Sequence, residues 1–300
     1  MWFKNLSLFR LPADFNLDPV AVETALSEQP LRSPGPLEQE TRGFLSPFQH
    51  ADGAYTHATQ NALLLSLGQE SRLLPSSVLH DAIADRVAEH ESKTGRKPGK
   101  RLRNEFRELA LGELLPRAFI KRSRTAAYWD ATSHLLAVDS SSDKTSELVA
   151  SALREAIGSL PARPLATEAS LPLLMSEWLV SGQTPEGFEL GDECELKDPS
   201  DTASVVRCRR HDLAADEVRE HARRGKQVTQ LALVYDQRIA FVLDAGAKLR
   251  KIEFLDVIAD KLDGQDGADA AQVLDAEFTL MALELRRLYA RLDEILRFVD

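Results

Sequence analysis

Cysteine is nearly absent: the 300-residue chain holds two, Cys194 and Cys208. Their spacing is neither C-x-x-C nor a Cys/His pattern, so a disulfide framework and a zinc site are both disfavoured. Both thiols are expected to be free and buried. Long hydrophobic runs are absent too, and none approaches the roughly 18 residues that a membrane span requires. The opening Met1-Trp2-Phe3-Lys4-Asn5-Leu6-Ser7-Leu8-Phe9 has no charged region leading into an apolar one and no small-residue cleavage site. It reads as a strand and not as a signal peptide, and a cytosolic protein is expected.

Recognisable catalytic motifs are missing as well. Neither G-x-x-x-x-G-K-[ST] nor G-x-G-x-x-G occurs, which removes the common phosphate-cradling loops. There is no H-E-x-x-H, and the seven histidines are scattered. His50 and His57 flank Asp52, but a loop of small residues explains that spacing better than a metal site. Ser141-Ser142-Asp143-Lys144 matches S-x-x-K, yet it sits at a helix start where capping accounts for each residue. The acidic group Glu186, Glu189, Asp192, Glu193 and Glu195 can be imagined to hold Mg²⁺. Alternating positions on a strand more often make a solvated face. No catalytic residue, metal or cofactor is therefore expected. A metal-dependent nuclease or DNA-processing enzyme using residues 186–195 stands as the competing reading.

What is present is an ordinary globular composition, 43% hydrophobic and 28% charged, long enough for one large domain or two smaller ones. Residues 2–11 predict a first strand that stops at Pro12, and residues 20–29 a helix within an acidic stretch. Residues 61–67 predict a buried strand. A helix capped by Ser76 or Ser77 places Val78, Leu79, Ile83 and Val87 on one face. Residues 95–99 break it, and a second helix follows with Leu102, Phe106 and Leu109 aligned, ending before Pro116. A hairpin is predicted around the turn 130–133. A helix begins at residues 140–143, with Leu148, Ala152 and Ile157 facing inward, and ends at Gly158. Beyond a proline-rich connector at 161–164 come a helix at 173–180, strands at 188–196 and 203–209, and a helix at 214–224. Strands at 228–235, 238–243 and 249–254 then precede a long helix over about 268–298. That helix spaces Leu274, Phe278, Met281, Leu285, Leu288, Leu292 and Ile295 along one stripe. The fold class is α+β with antiparallel sheets and packed helices. The expected division is an N-terminal α+β domain (1–75 with 125–162), a projecting basic helical arm (76–124) and a C-terminal α+β domain (163–300).

Charge is unevenly distributed. The chain carries −10 overall, which as an average disfavours nucleic acid. Between residues 93 and 124, however, stand Lys93, Arg96, Lys97, Lys100, Arg101, Arg103, Arg107, Arg117, Lys121, Arg122 and Arg124. Only Glu105, Glu108 and Glu113 oppose them, so these 32 residues carry +8 and the other 268 carry −18. With screening over about 8 Å, a polyanion feels the local patch more than the total. A second cluster holds Arg207, Arg209 and Arg210, followed by Arg223, Arg224 and Lys226. Arg207 and Arg209 share one face of a strand and Arg210 takes the other, and Arg209 or Arg210 is expected to matter more than Arg207 because His211 and a turn expose that end. No helix-turn-helix, RRM or zinc-finger pattern accompanies these cations, so phosphate contacts without sequence preference are expected. The DNA-facing candidates are Lys93, Arg96, Lys97, Lys100, Arg101, Arg103, Arg117, Lys121, Arg122, Arg124, Arg209 and Arg210. Phe119, between Arg117 and the basic group that follows it, is a candidate anchor in a partner subunit.

Several segments resemble the bacterial recombination-associated RdgC family. They are Trp2-Phe3-Lys4-Asn5-Leu6, Leu114-Leu115-Pro116-Arg117-Ala118-Phe119, Gly158-Ser159-Leu160-Pro161, Glu177-Trp178, Gly187-Phe188-Glu189-Leu190, Gln237-Arg238-Ile239 and Asp275-Ala276-Glu277-Phe278. They run in order from the first strand to the final helix. The resemblance implies a nucleoid-associated cytoplasmic protein that binds double-stranded DNA irrespective of sequence, with single-stranded DNA as a second candidate partner. It also implies a two-fold homodimer closed into a ring around duplex DNA, functional antagonism of RecA, and a role at replication forks. No membrane is implied.

Overall fold

A computed structural model describes residues 2–48, 53–201, 203–255 and 270–299. His50 and Asp52 of the imagined metal spacing lie outside the described residues, as do residues 268 and 269 of the final predicted helix. The chain is α+β and forms two compact units. The larger takes the described residues of Met1–Leu26, Ser46–Ser66 and Thr125–Asp300; the smaller takes Ser27–Leu45 and Leu67–Arg124.

The larger unit is built on two antiparallel sheets. In the first, β5 (Phe119–Asp130), β6 (Leu135–Val138), β1 (Ser7–Arg10) and β7 (Arg163–Pro164) lie side by side in that order. β3 (Thr56–Thr59) forms a hairpin with β4 (Ala62–Leu73) through Gln60 and Asn61, both left-handed, as a two-residue turn matching strand twist demands. Asn61 is thus a turn residue and not the strand start that the sequence suggests. The connector at 161–164 falls inside this unit, where Arg163 and Pro164 pair with Arg10 and Phe9.

The second sheet has the order β12-β11-β10-β8-β9, formed by β8 (Phe188–Lys197), β9 (Val205–Arg209), β10 (Gln227–Tyr235), β11 (Ile239–Asp244) and β12 (Leu249–Phe254). Helices α1 (Pro19–Ser27), α4 (Asp143–Ile157), α5 (Leu171–Ser181) and α6 (Asp216–Arg223) accompany the strands. Of the residues predicted to face inward on α4, Ala152 is buried together with Ser146, Val149, Ala150 and Leu153, whereas Leu148 and Ile157 are only partly buried.

The long helix α7 (Ala270–Leu296) closes the core. Phe278, Met281, Leu285, Leu288, Leu292 and Leu296 are buried along one stripe, and a helical period of 3.6 keeps them on that side. Tyr289 joins them and shares a buried hydrogen bond of 3.0 Å with Tyr128 of β5, whose ring meets Phe278 at 5.8 Å. Buried charges are paired, as a low-dielectric interior requires. Arg286 donates to Asp130 at 2.8 Å, and Arg238 to Glu284 at 2.9 Å. Among the described residues no helix is long and apolar enough to cross a membrane.

In the smaller unit β2 (Glu40–Leu45), the latter part of β4 and the first residues of β5 are neighbours in that order. The sequence alone predicts no element over 40–45. Gly43 is needed there because a Cβ would fall 2.5 Å from the backbone of Pro30 and Leu31. The rest of this unit is α2 (Ser76–Thr94), α3 (Lys100–Leu114) and a 3₁₀ turn at Leu115–Arg117. Gly95, left-handed at φ 67°, ends α2 and donates to the Glu91 carbonyl, so the predicted break is a helix C-cap.

Candidate nucleic-acid interface

The helices α2 and α3 form a hairpin with little core. α2 buries no residue and α3 buries only Ala110. The Phe106 ring meets His90 edge-on at 6.0 Å, and Arg86 donates to Glu113 at 2.6 Å. Arg72 on β4 anchors the base: its guanidinium donates to the carbonyls of Pro34, Gly35 and Leu115 at 3.1–3.3 Å. Nothing in the sequence singles out Arg72, since its partners lie about forty residues away on either side.

On this scaffold the basic run divides into paired and unpaired cations. Lys93 bonds Glu89, Arg101 bonds Glu105 at 3.3 Å, and Arg122 bonds Glu70 at 2.8 Å. Arg124 is partly buried, and that burial lowers its pKa. Arg96, Lys97, Lys100, Arg103, Arg107, Arg117 and Lys121 are exposed and have no ion-pair partner among the described residues. Arg103 and Arg107 sit one turn apart on α3, and Glu105, the acid between them in the sequence, is paired with Arg101. Such a density of unpaired cations on a solvated hairpin attracts a polyanion.

The last four positive residues are not all helical. Arg117 ends the 3₁₀ turn, while Lys121, Arg122 and Arg124 lie on β5, a correction to the helical arm expected over 76–124. Strand alternation puts Phe119 and Lys121 on one face and Arg122 and Arg124 on the other. Arg122 is tied to a structural partner: the Glu70 carboxylate is buried, and its Oε2 has no hydrogen bond. Arg122→Ala should therefore lower stability by about 1–3 kcal/mol, the cost of an unsatisfied buried acceptor. Urea unfolding measures this, and the double variant with Glu70→Gln should recover most of it. A single variant as stable as the parent would show that the pair contributes nothing.

The second cluster, in the larger unit, also divides. Arg207 donates to Glu195 at 2.7 Å, Arg223 and Arg224 pair with acids of their own helix, and Lys226 bonds Ser204. Arg209 and Arg210 are exposed and have no side-chain partner among the described residues, and Arg210 occupies a left-handed turn at φ 51°. The acidic strand opposite is engaged with cations. Glu193 accepts from Lys251 at 2.6 Å. Burial alone would raise Glu195, but bonds from Arg207, Lys197 and Thr229 outweigh it and hold the carboxyl at about 2. His57, half of the imagined metal spacing, bonds Asp275 at 2.6 Å. No group of three or more metal-ligating side chains occurs among the described residues.

Fold and surface together define an α+β protein that presents a basic, sparsely packed helical hairpin. Residues 1–298 match a family model described as "RdgC: Putative exonuclease, RdgC". The chain is similar to the recombination-associated protein RdgC of Xanthomonas oryzae pv. oryzae, strain MAFF 311018, 43% identical over 99% of this chain and 98% of that one. It is 42% identical, over the same shares, to the protein of that name from Xanthomonas campestris pv. campestris, strain B100. The one from Xylella fastidiosa, strain 9a5c, is 39% identical over 98% of this chain and 97% of its own. The chain belongs to the RdgC family, whose curated members are named for recombination.

Proposed function

We propose that the protein binds duplex DNA without sequence preference, as a two-fold homodimer closed into a ring, and restrains RecA-promoted strand exchange in the nucleoid. The observation that carries this reading is the set of seven exposed cations on and beside the α2–α3 hairpin that have no ion-pair partner among the described residues. Cations that already hold a carboxylate must give it up before they meet a phosphate; these seven need not. Long flexible Lys and Arg side chains without a base-reading scaffold engage the backbone, so affinity follows charge and salt and not sequence. A two-fold axis would bring two such hairpins to one duplex and double the contacts. Arg209 and Arg210 supply a further contact on each subunit. Single-stranded DNA offers the same phosphates at lower charge density and binds with a shallower salt response. The exposed Phe119 supplies a closing contact between subunits.

The test is incubation of the purified protein with labelled duplexes of unrelated sequence and Mg²⁺, over a series of salt concentrations. Intact duplex should be retained with nearly equal affinity for every sequence, and the affinity should fall steeply with salt. Degraded duplex would replace this reading with the nuclease one. In that case Mg²⁺ would have to compete with Lys251 for Glu193 and with Arg207 and Lys197 for Glu195.

A further inference from the structure

The only two cysteines of the chain, 14 positions apart in sequence, stand directly opposite each other on neighbouring strands: Cys194 of β8 pairs with Cys208 of β9. Opposed residues of an antiparallel pair project to the same face with Cα atoms about 4.5–5.5 Å apart. A disulfide spans about 4.4–6.8 Å between Cα atoms, so this register accepts one without moving the backbone. Both thiols are free, Cys194 buried and Cys208 partly exposed. On either side along the ladder, the charged pairs Glu193–Arg209 and Glu195–Arg207 occupy the other face.

We infer that Cys194 and Cys208 form a two-electron oxidation site that closes to an intramolecular disulfide in the presence of hydrogen peroxide. Burial, and then the neighbouring Cys208, push the Cys194 thiol up to about 12, so Cys208 is the sulfur that meets the oxidant first. Its thiolate attacks the peroxide, the O–O bond breaks, and Cys208 becomes a sulfenic acid while hydroxide leaves. The Cys194 sulfur then attacks the Cys208 sulfur. The new S–S bond forms as the S–O bond breaks, and the Cys194 proton leaves with the hydroxyl as water. Two thiols have lost two electrons and two protons, and the peroxide has become two waters. The product ties β9 to β8 covalently. Among the described residues β9 is an edge strand, paired with β8 alone, and it carries Arg209 toward the turn at Arg210. Oxidation therefore fixes the strand end that presents these two cations. This site is independent of whether the protein binds DNA.

The folded chain is titrated with hydrogen peroxide, quenched, unfolded without reductant, and read by intact mass and thiol count. The expected result is a mass lower by two hydrogens, a thiol count falling from two to none, and a peptide linking Cys194 to Cys208. Dithiothreitol restores both thiols. The oxidised chain should also melt several degrees higher, as closing a loop of about 15 residues predicts. In Cys194→Ser, oxidation should stop at a Cys208 sulfenic acid trapped by dimedone, and in Cys208→Ser the remaining thiol should persist. The inference is overturned if both thiols remain titratable, if Cys208 gains oxygen while Cys194 stays free, or if the disulfide joins two chains. The parent measurement needs no variant, so it decides the matter even where the Cys194→Ser chain misfolds.

Discussion

Replacing Lys100 and Arg103 together by Glu should abolish most DNA binding while leaving the fold as stable as before, or slightly more so. Both residues are exposed, lie three apart on the first turn of α3 and hold no carboxylate among the described residues. They are also at the wrong end of the helix for positive charge. The first turn of α3 contains no acid, and the N-terminal end of a helix carries about half a positive charge. Glu at these positions complements that charge by about 0.3–1 kcal/mol each, and Arg103→Glu also removes the repulsion with Arg107. Binding moves the other way. Non-specific duplex affinity of about 5.5–8 kcal/mol, spread over about eight phosphate contacts, is about 0.7–1 kcal/mol per contact. Two hairpins lose four contacts, so Kd should rise more than about a hundredfold and the salt slope should flatten by about 2 per subunit. Fluorescence anisotropy across salt concentrations reads both, and thermal melting reads the fold. Parental affinity in this stable variant would remove the hairpin from the DNA interface.

That separation of charge from packing also explains which parts of the molecule could be read in advance. The final helix was legible because its buried residues recur every three or four positions, and Phe278, Met281, Leu285, Leu288 and Leu292 all lie in the core. The α2–α3 hairpin was legible through Gly95, whose left-handed backbone marks a helix end in sequence and in structure alike. On α4 the inward place of Ala152 was legible, whereas Leu148 was taken over its buried neighbour Val149 because it is the larger apolar residue, and residue size does not decide which side of a helix is buried. β2 was missed since Glu40, Arg42 and Gly43 hide its alternation, while Thr41 and Phe44 are buried. The first half of β5 was included in the arm, and not read as a strand, for the same reason. Its residues Phe119 to Arg124 include three cations and little apolar contrast, so the period of two is drowned by charge.

For the surface itself, composition located the excess of positive charge but could not sort it. Arg122 looks like its neighbours in the sequence, yet its partner Glu70 is 52 positions away and buried. Arg207 is bound by Glu195 across two strands, whereas Arg209, two residues on, is not. Pairing of this kind depends on strand register, which is set by the whole sheet and not by local sequence. The same register brought together the two cysteines, which the sequence alone presented as separate buried thiols.

Phe119→Ala should dissociate the proposed dimer without unfolding the subunit. Phe119 is 84% exposed, the most exposed of the large hydrophobic residues described, and it opens β5 one residue after the 3₁₀ turn. Its neighbour Ile120 is also exposed, so two apolar side chains stand in water amid Arg117 and Lys121. Water contact at that site costs what burial would return, about 1.5–3 kcal/mol for a Phe side chain. Truncation leaves no cavity in the subunit, so the melting temperature should stay within the small range typical of surface changes. Under two-fold symmetry one substitution removes two anchors, one on each subunit. At about 2 kcal/mol each, the dimer dissociation constant should rise by roughly a thousandfold. Retention on covalently closed circular DNA, which has no ends for a ring to slide from, should fall further than retention on a short linear duplex. Analytical ultracentrifugation gives the dimer fraction, and plasmid retention at fixed salt gives the second quantity. A variant that dimerises like the parent would show that Phe119 closes nothing. One that dissociates yet holds circular and linear DNA in the parental ratio would separate dimerisation from encirclement and sink the ring.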